Sequence, residues 1–252
     1  MTSPRKPKPA VTVVIPTLNN IRGRRYLTDY FKDKPYKAIF VDNSKVNLGF
    51  AAGVNKGVKE ARSEWLLILN DDIEFKDIKG RGRSKEIDDL IIFAKRNGLD
   101  AVTPVLRNPN GSVENVGYRV LPFGKVELIT AEVEDDSGLD GITAACLLIK
   151  ADVFRRLKGF DESFFAYLED VDFFLRFKKQ GFKFAVAFDI EVHHNHMTTS
   201  KTMGNFKARQ DLINWWRLYF KHKNRFVFNL AFILERLRNL SGFIKATVSQ
   251  FL

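Results

Sequence analysis

The chain has 252 residues, enough for one large domain or one domain with an appendage, and its 45% hydrophobic and 28% charged content is that of an ordinary globular protein. A chain of this size builds a core without disulfides or structural metal, and its single cysteine, Cys146, excludes both an intramolecular disulfide framework and a multi-cysteine zinc site. The net charge of +11 is segregated: residues 201–252 hold ten Lys/Arg against Asp211 and Glu235, residues 1–9 add Arg5, Lys6 and Lys8, and the body between is close to neutral, so a nucleic-acid surface would have to lie at the ends.

The first ten residues, MTSPRKPKPA, are basic and proline-rich and lack the apolar segment of a secretory signal; they read as a short disordered arm on a protein of the reducing cytoplasm. Residues 11–15 (VTVVI) form a short apolar run closed by Pro16, the pattern of a buried parallel strand, and residues 38–41 (AIFV), ending in Asp42-Asn43, repeat it. Val54, Val58 and Ala61 mark a helix face before the third run, WLLIL, which ends in Asn70-Asp71-Asp72. Ile87, Leu90, Ile91 and Ala94 mark a second helix stopped by Gly98, and residues 101–103 a fourth strand. Strands alternating with helices predict a parallel sheet covered by helices, with ligands beyond the carboxyl ends of its strands. Thr17-Leu18-Asn19, Asp42-Asn43-Ser44 and Asn70-Asp71-Asp72 all fall at such ends and are expected to converge on one cleft.

From about residue 105 the pattern changes. Asn108-Pro109-Asn110-Gly111 is a turn signal, short mixed segments run to about Asp140, and residues 142–149 are apolar enough for a central strand, in which Cys146 reads as a buried core thiol. Residues 169–179 have a helical pattern ended by Gly181, residues 184–188 a strand pattern, and residues 206–221 and 226–248 helical patterns. There is no repeat at solenoid periods.

Three clusters carry chemistry. Asn70-Asp71-Asp72 follows an apolar strand directly; carboxylates there can hold a hard cation such as Mg²⁺ or Mn²⁺ whose other ligands are substrate phosphates, or can simply be a solvated turn or helix cap. Glu169-Asp170-Val171-Asp172 opens a helix, where acids complement the dipole, but the preceding GFDESFFAYLED supplies more aromatics than a helix start needs, enough to wall a dry cleft around a carboxylate. Val192-His193-His194-Asn195-His196 follows the last strand; alternation puts His194 and His196 on one side and His193 on the other, as metal ligands or exposed loop histidines.

Taken together, VTVVIPTLNN, VDNSKVNLGFAAGVNKGVKEA, WLLILNDDIEF, VTPVLRNPNGSVENVG and GITAACLLIKADVFRRLKGFDESFFAYLEDVDFFLRFKKQGFKF resemble the family-2 inverting glycosyltransferases, especially the rhamnosyltransferase-like branch, over roughly residues 11–220. The resemblance implies an α/β GT-A fold, a Rossmann-like, mostly parallel sheet flanked by helices. It implies a nucleotide-sugar-binding half at about 11–104 and an acceptor-binding half at 105–222; by composition and pattern the arm at 1–10 precedes them and a basic amphipathic helical extension at 223–252 follows. Pro16, Thr17 and Asn19 would border the nucleotide, Asp42 would contact base or ribose, and Asn43, Asn55 and Asp71 would lie beside them. Asn70-Asp71-Asp72 stands at the DxD-type motif: Asp72 would ligate Mg²⁺ or Mn²⁺, and Asn70 would touch ribose or a metal-bound water. Asp170 matches the catalytic base, with Glu169 beside it, and His194 matches the histidine near the diphosphate and metal. In this chain Asp42-Asn43-Ser44 runs almost directly into Asn47-Leu48-Gly49-Phe50, so a helix and strand of the family pattern are expected to be missing or displaced.

The implied reaction is direct displacement at the anomeric carbon of a nucleotide sugar. Asp170, held ionised by its helix start, would take the proton of a glycan or lipid-linked acceptor hydroxyl, and one base without a covalent intermediate implies inversion. Two other readings use the same residues. A nucleotidyltransferase would want a basic phosphate loop, for which Arg22-Gly23-Arg24-Arg25 is the candidate; a non-catalytic module would stack nucleic acid on Trp215, Trp216, Tyr219 and Phe220, although intact acidic clusters argue against it. In the extension, FVFNLAFIL is too short to span a bilayer, and with Arg236 and Arg238 it suits either an anionic membrane surface, on the cytoplasmic face, or the protein's own core.

Overall fold

The computed structural model describes residues 9–75, 85–195 and 205–248. Most of the basic arm, and His196, lie outside the described residues. The first half runs β1 (Val11–Thr17), α1 (Ile21–Phe31), β2 (Lys37–Asp42), α2 (Gly49–Lys59), β3 (Trp65–Leu69), β4 (Ile73–Glu74), α3 (Glu86–Arg96) and β5 (Ala101–Arg107). The second continues with β6 (Val113–Asn115), β7 (Tyr118–Leu121), β8 (Lys125–Leu128), β9 (Cys146–Lys150), α4 (Ala151–Arg156), α5 (Glu169–Lys179), β10 (Phe184–His194), α6 (Phe206–Lys221) and α7 (Leu230–Val248).

The main sheet has the order β2-β1-β3-β9-β5-β10-β4, with β6 on β5. β1 pairs parallel with both β2 and β3, and β10 parallel with β5, whereas β9 is antiparallel to its two neighbours. The chain alternates β1-α1-β2-α2-β3, and six residues carry it from Asp42 straight into α2 at Gly49, with no element of its own between them. Both faces of the sheet are buried, which is why its strands read as continuous apolar runs. In β3, Leu66 and Ile68 pack with Val54, Val58 and Phe173 on one side, while Trp65, Leu67 and Leu69 pack with Leu27, Ile87 and Leu90 on the other.

Several elements differ from the sequence expectation. Arg22-Gly23-Arg24-Arg25 lie inside α1, whose N-cap Asn20 accepts a hydrogen bond from the Gly23 N–H, so they form no phosphate loop. The central strand starts at Cys146 rather than 142, because residues 143–145 turn along the strand ends instead of pairing. β10 extends through His193 and His194, past a register shift between Ala187 and Glu191, so these histidines belong to the strand and do not follow it.

The C-terminal part is not an appendage. Tyr118 and Val120 of β7, Phe164, Val171 of α5, Trp215 and Leu218 of α6, Phe226 and Phe232 of α7 form a third buried cluster. The Arg236 guanidinium lies 4.3 Å from the Trp215 ring and donates to the Gly124 carbonyl. Of the four aromatics named for stacking, Trp215 is therefore core, while Trp216 and Phe220 stack on each other.

Candidate active site

A cleft of about 890 Å³ opens beyond the carboxyl ends of β1, β2 and β3, between them and α5, α6 and α7. Pro16 and Thr17, Asn43, and Asn70-Asp71-Asp72 line it from the three strand ends, as alternation in a parallel sheet dictates. Glu169 and Asp170 line it from the start of α5, and His194 from the end of β10. Nine of the twelve candidate residues thus share one cavity, although they are spread over residues 16–194.

The other three do not line it. Asn55 spans from α2 to the turn before α5: its Nδ2 donates to the Phe160 carbonyl at 2.8 Å and to Glu162 Oε1 at 3.0 Å, and its Oδ1 accepts from the Phe160 N–H. Both ends of its amide are used structurally. Asn19 is exposed, in the left-handed conformation (φ 58°) that turns β1 into α1. Asp42 is exposed at the end of β2, where Ser44, by its side chain and its N–H, and then Arg24 hold its carboxylate down at about 2.

Asp71 and Asp72 are divided by their surroundings. Asp71 Oδ1 accepts from Asn20 Nδ2 at 3.1 Å, which ties the end of β3 to the start of α1; burial raises its pKa despite hydrogen bonds from Thr17 and Asn20. Asp72 Oδ1 stands 2.9 Å from His194 Nε2, and the Asp72 carbonyl accepts the Asn195 N–H at 2.9 Å. The other ring nitrogen, Nδ1, lies 2.8 Å from Glu114 Oε2. Burial depresses the His194 pKa, but Asp72 and Glu114 outweigh it and raise it to about 9. Glu114 carries no sequence signal: it sits in β6, a three-residue strand that its own pattern does not announce.

A carboxylate oxygen and an imidazole nitrogen converge here at a cavity wall, and would form a donor set for a divalent cation that displaces the proton shared between Asp72 and Nε2. Glu114 occupies the position of the outer carboxylate that fixes a ligating histidine's tautomer. Among the described residues no group of three or more His, Cys, Asp and Glu could hold a metal. The protein would therefore furnish Asp72 and His194, and a bound ligand's oxygens the remaining positions.

The acid pair is built under strain. Tyr167 and Leu168, immediately before α5, both have φ of 67°, a left-handed conformation that costs non-glycine residues of order 1–3 kcal/mol. Asn214, wholly buried on α6, pins them: its Nδ2 donates to the Ala166 and Tyr167 carbonyls, both at 2.8 Å. Asp172, also fully buried, fastens α5 to α6 through Lys221 at 2.9 Å and His222 at 2.8 Å. Replacing Asn214 by Ala leaves two carbonyls without their donor, and urea unfolding should show a loss of about 1–3 kcal/mol. An unchanged midpoint would mean that the loop holds its shape without α6.

The helix start does not hold Asp170 at an ordinary carboxylate value, contrary to the sequence expectation. Burial raises it to about 6, against hydrogen bonds from the Val171 and Ala144 N–H groups. Glu169, more deeply buried and beside the Asp170 charge, is pushed to about 8. Its Oε2 has no hydrogen-bond partner among the described residues. Two adjacent acids with separated affinities for a proton are suited to different tasks, with Asp170 the one that ionises first as pH rises. Tyr118, whose buried hydroxyl also has no partner among the described residues, faces the same charges and was missed because β7 is short.

A family model described as "Glycosyl transferase family 2" matches residues 22–157. Over 159 residues, 58% of this chain, the sequence is 28% identical to the O-antigen biosynthesis protein RfbC of Myxococcus xanthus, of which the match covers 12%. Over 186 residues, 62% of this chain, it is 26% identical to the N-acetylglucosaminyl-diphospho-decaprenol L-rhamnosyltransferase of Mycobacterium tuberculosis, of which the match covers 58%. The chain thus spans from about an eighth to somewhat over half the length of these relatives. Among solved structures, the mannosyltransferase PcManGT from Pyrobaculum calidifontis, in complex with GDP-Man and Mn²⁺, superposes with a TM-score of 0.58 at 12% identity, over 97% of this chain and 75% of that one. That likeness shows the fold, which is GT-A.

Proposed function

Because this chain belongs to glycosyl transferase family 2, we propose that it moves a sugar, with inversion, from a nucleoside-diphosphate donor to a hydroxyl of a glycan or lipid-linked acceptor in cell-surface polysaccharide or glycolipid synthesis. The observation that carries this reading is the meeting, in one cleft, of Asp72 with His194 on one side and the buried Glu169–Asp170 pair on the other. In this reading residues 11–104 form the donor half and residues 105–222 the acceptor half, with α7 closing the acceptor side; the protein works peripherally on the cytoplasmic face of a membrane.

Each residue then has a task. Pro16, Thr17 and Asn43 border the nucleotide, and the buried Oδ1 of Asn43, which has no hydrogen-bond partner among the described residues, is an acceptor suited to a base or ribose donor. Asn70 and Asp71 shape the wall beside them, Asp71 through its bond to Asn20. Asp72 and His194 hold Mg²⁺ or Mn²⁺, which when bound offsets charge on the departing diphosphate. Asp170 takes the acceptor proton as the hydroxyl attacks, and Glu169, protonated at neutral pH, orients that hydroxyl. Asn55 keeps its place at the α2–α5 junction rather than at the donor, and Asp42 and Asn19 support the rim.

The test is incubation of the protein with a panel of nucleotide sugars, each with and without Mg²⁺ or Mn²⁺. Slow, metal-dependent release of nucleoside diphosphate is expected. The matching donor should also stabilise the fold, by about 2.7 kcal/mol at one hundred times its Kd. No release and no thermal stabilisation with any donor would retire the proposal.

A further inference from the structure

α7 has three sides. Phe232 and Arg236 face the protein and are buried. Glu235, Arg238 and Asn239 line the cleft. The remaining side presents Leu230, Ile233, Leu234, Leu237, Leu240, Ile244 and Val248, each between 41% and 70% exposed. At about 100° per residue these occupy an arc of about 120° along the whole helix, about 28 Å of apolar surface in which Ser241 is the one polar residue. Phe228 extends the stripe, and Trp216 with Leu212 and Ile213 of α6 forms the far wall of an apolar groove of about 590 Å³ beside it. Scattered surface leucines need no explanation, but a contiguous stripe of this length marks a surface that meets something apolar.

Charge decides what. Residues 205–248 carry nine Lys/Arg and only Asp211 and Glu235. Lys223 and Arg225 lie just before α7, and Arg238 and Lys245 border its apolar arc, all four exposed. Two copies meeting through this face would bring like charges together, whereas an anionic bilayer offers apolar depth and negative headgroups at once. No helix among the described residues is long and apolar enough to cross a membrane, so the contact is with its surface.

We infer that the solvent side of α7 is a membrane-docking face for anionic lipid, and that it seats the acceptor side of the cleft against the bilayer, because the same helix supplies Glu235, Arg238 and Asn239 to the cleft wall. The second half of this inference rests on the glycosyltransferase reading; the first does not. Docking in this pose lets an acceptor embedded in the bilayer reach Asp170 without leaving the membrane.

The test is co-sedimentation of the full chain with phosphatidylcholine vesicles, with and without phosphatidylglycerol, against Leu234→Glu/Leu237→Glu. Both positions are more than half exposed, so the variant keeps its core; removing residues 223–252 instead would strip Phe232 and the cleft wall. Binding that needs phosphatidylglycerol, weakens with salt, and falls by about tenfold or more in the variant is expected. Metal-dependent donor hydrolysis in solution should be equal in both proteins. Vesicle binding unchanged by the substitutions, or absent from the intact chain, overturns the docking face. So does a dimer in sedimentation that the substitutions dissolve, since a second copy would then be the occupant. Absence of donor hydrolysis in both proteins, with vesicle binding intact, would instead retire the glycosyltransferase reading and leave the docking face standing.

Discussion

Asp170→Asn should lower kcat by about 10²-fold or more and leave donor affinity nearly unchanged. The amide keeps the size of the side chain and its bond to the Val171 N–H at 2.8 Å through Oδ1 but cannot accept a proton. Glu169→Gln should act on acceptor KM or stability instead, since Glu169 is already protonated near neutral pH. The two are adjacent on α5 and diverge by about 100° around its axis, so one of them faces the acceptor better than the other. A pH profile separates the roles. A base must be ionised, so kcat should fall as pH drops through about 6, the value to which burial raises Asp170, and this limb should disappear from the residual rate of Asp170→Asn. The stability signs run the other way: both acids are raised, so their contribution is full below ordinary carboxylate values and is lost as pH rises through about 6 and about 8. If Asp170→Asn keeps its kcat while Glu169→Gln loses it, the roles are exchanged; if both stay active, the pair is structural.

Asp72→Ala should abolish most transfer, by about 10²-fold or more in kcat/KM, and weaken Mn²⁺ binding measured by calorimetry in the presence of a nucleoside diphosphate. Asp72 Oδ1 stands 2.9 Å from His194 Nε2, on the side of the ring opposite Glu114, and without it the imidazole loses its partner carboxylate there. A single remaining ligand holds a cation and the departing diphosphate poorly. Asp71→Ala is the contrasting variant: its carboxylate bonds Asn20, so the change should appear as lost stability of the β1–α1 turn, with metal affinity largely preserved. Near-normal turnover of Asp72→Ala at ordinary Mg²⁺ or Mn²⁺ would rule out the metal role.

The first half of the fold was readable because its strands are buried on both faces. Residues 11–15, 38–41 and 65–69 are apolar apart from Thr12 and end abruptly in polar groups, and all three became parallel strands that bring Thr17, Asn43 and Asn70-Asp71-Asp72 to the cleft while Asn19 and Asp42 stay outside it. Local chemistry sufficed there, since a strand end marks a site wherever parallel strands share a direction. Asp72, His194, Glu169 and Asp170 could likewise be singled out, as acids and imidazole next to apolar segments.

Tertiary structure alone decided who meets whom. Glu114 and Asp72 reach the two nitrogens of His194 across 80 and 122 residues, and Asn214 holds carbonyls 47 and 48 residues away; no periodicity encodes such pairings. It also decided the electrostatics. A helix start predicts an ionised Asp170, but the field of a helix end is worth about 0.3–1 kcal/mol, less than the cost of burying two adjacent carboxylates. The same holds for α7. Its composition allowed a membrane surface or the protein's core as its partner, and its angular distribution of burial gives one side to each: Phe232 and Arg236 inward, Leu234 and Leu237 outward. Sequence determines which residues can leave water; which of them do depends on surfaces brought together from distant parts of the chain.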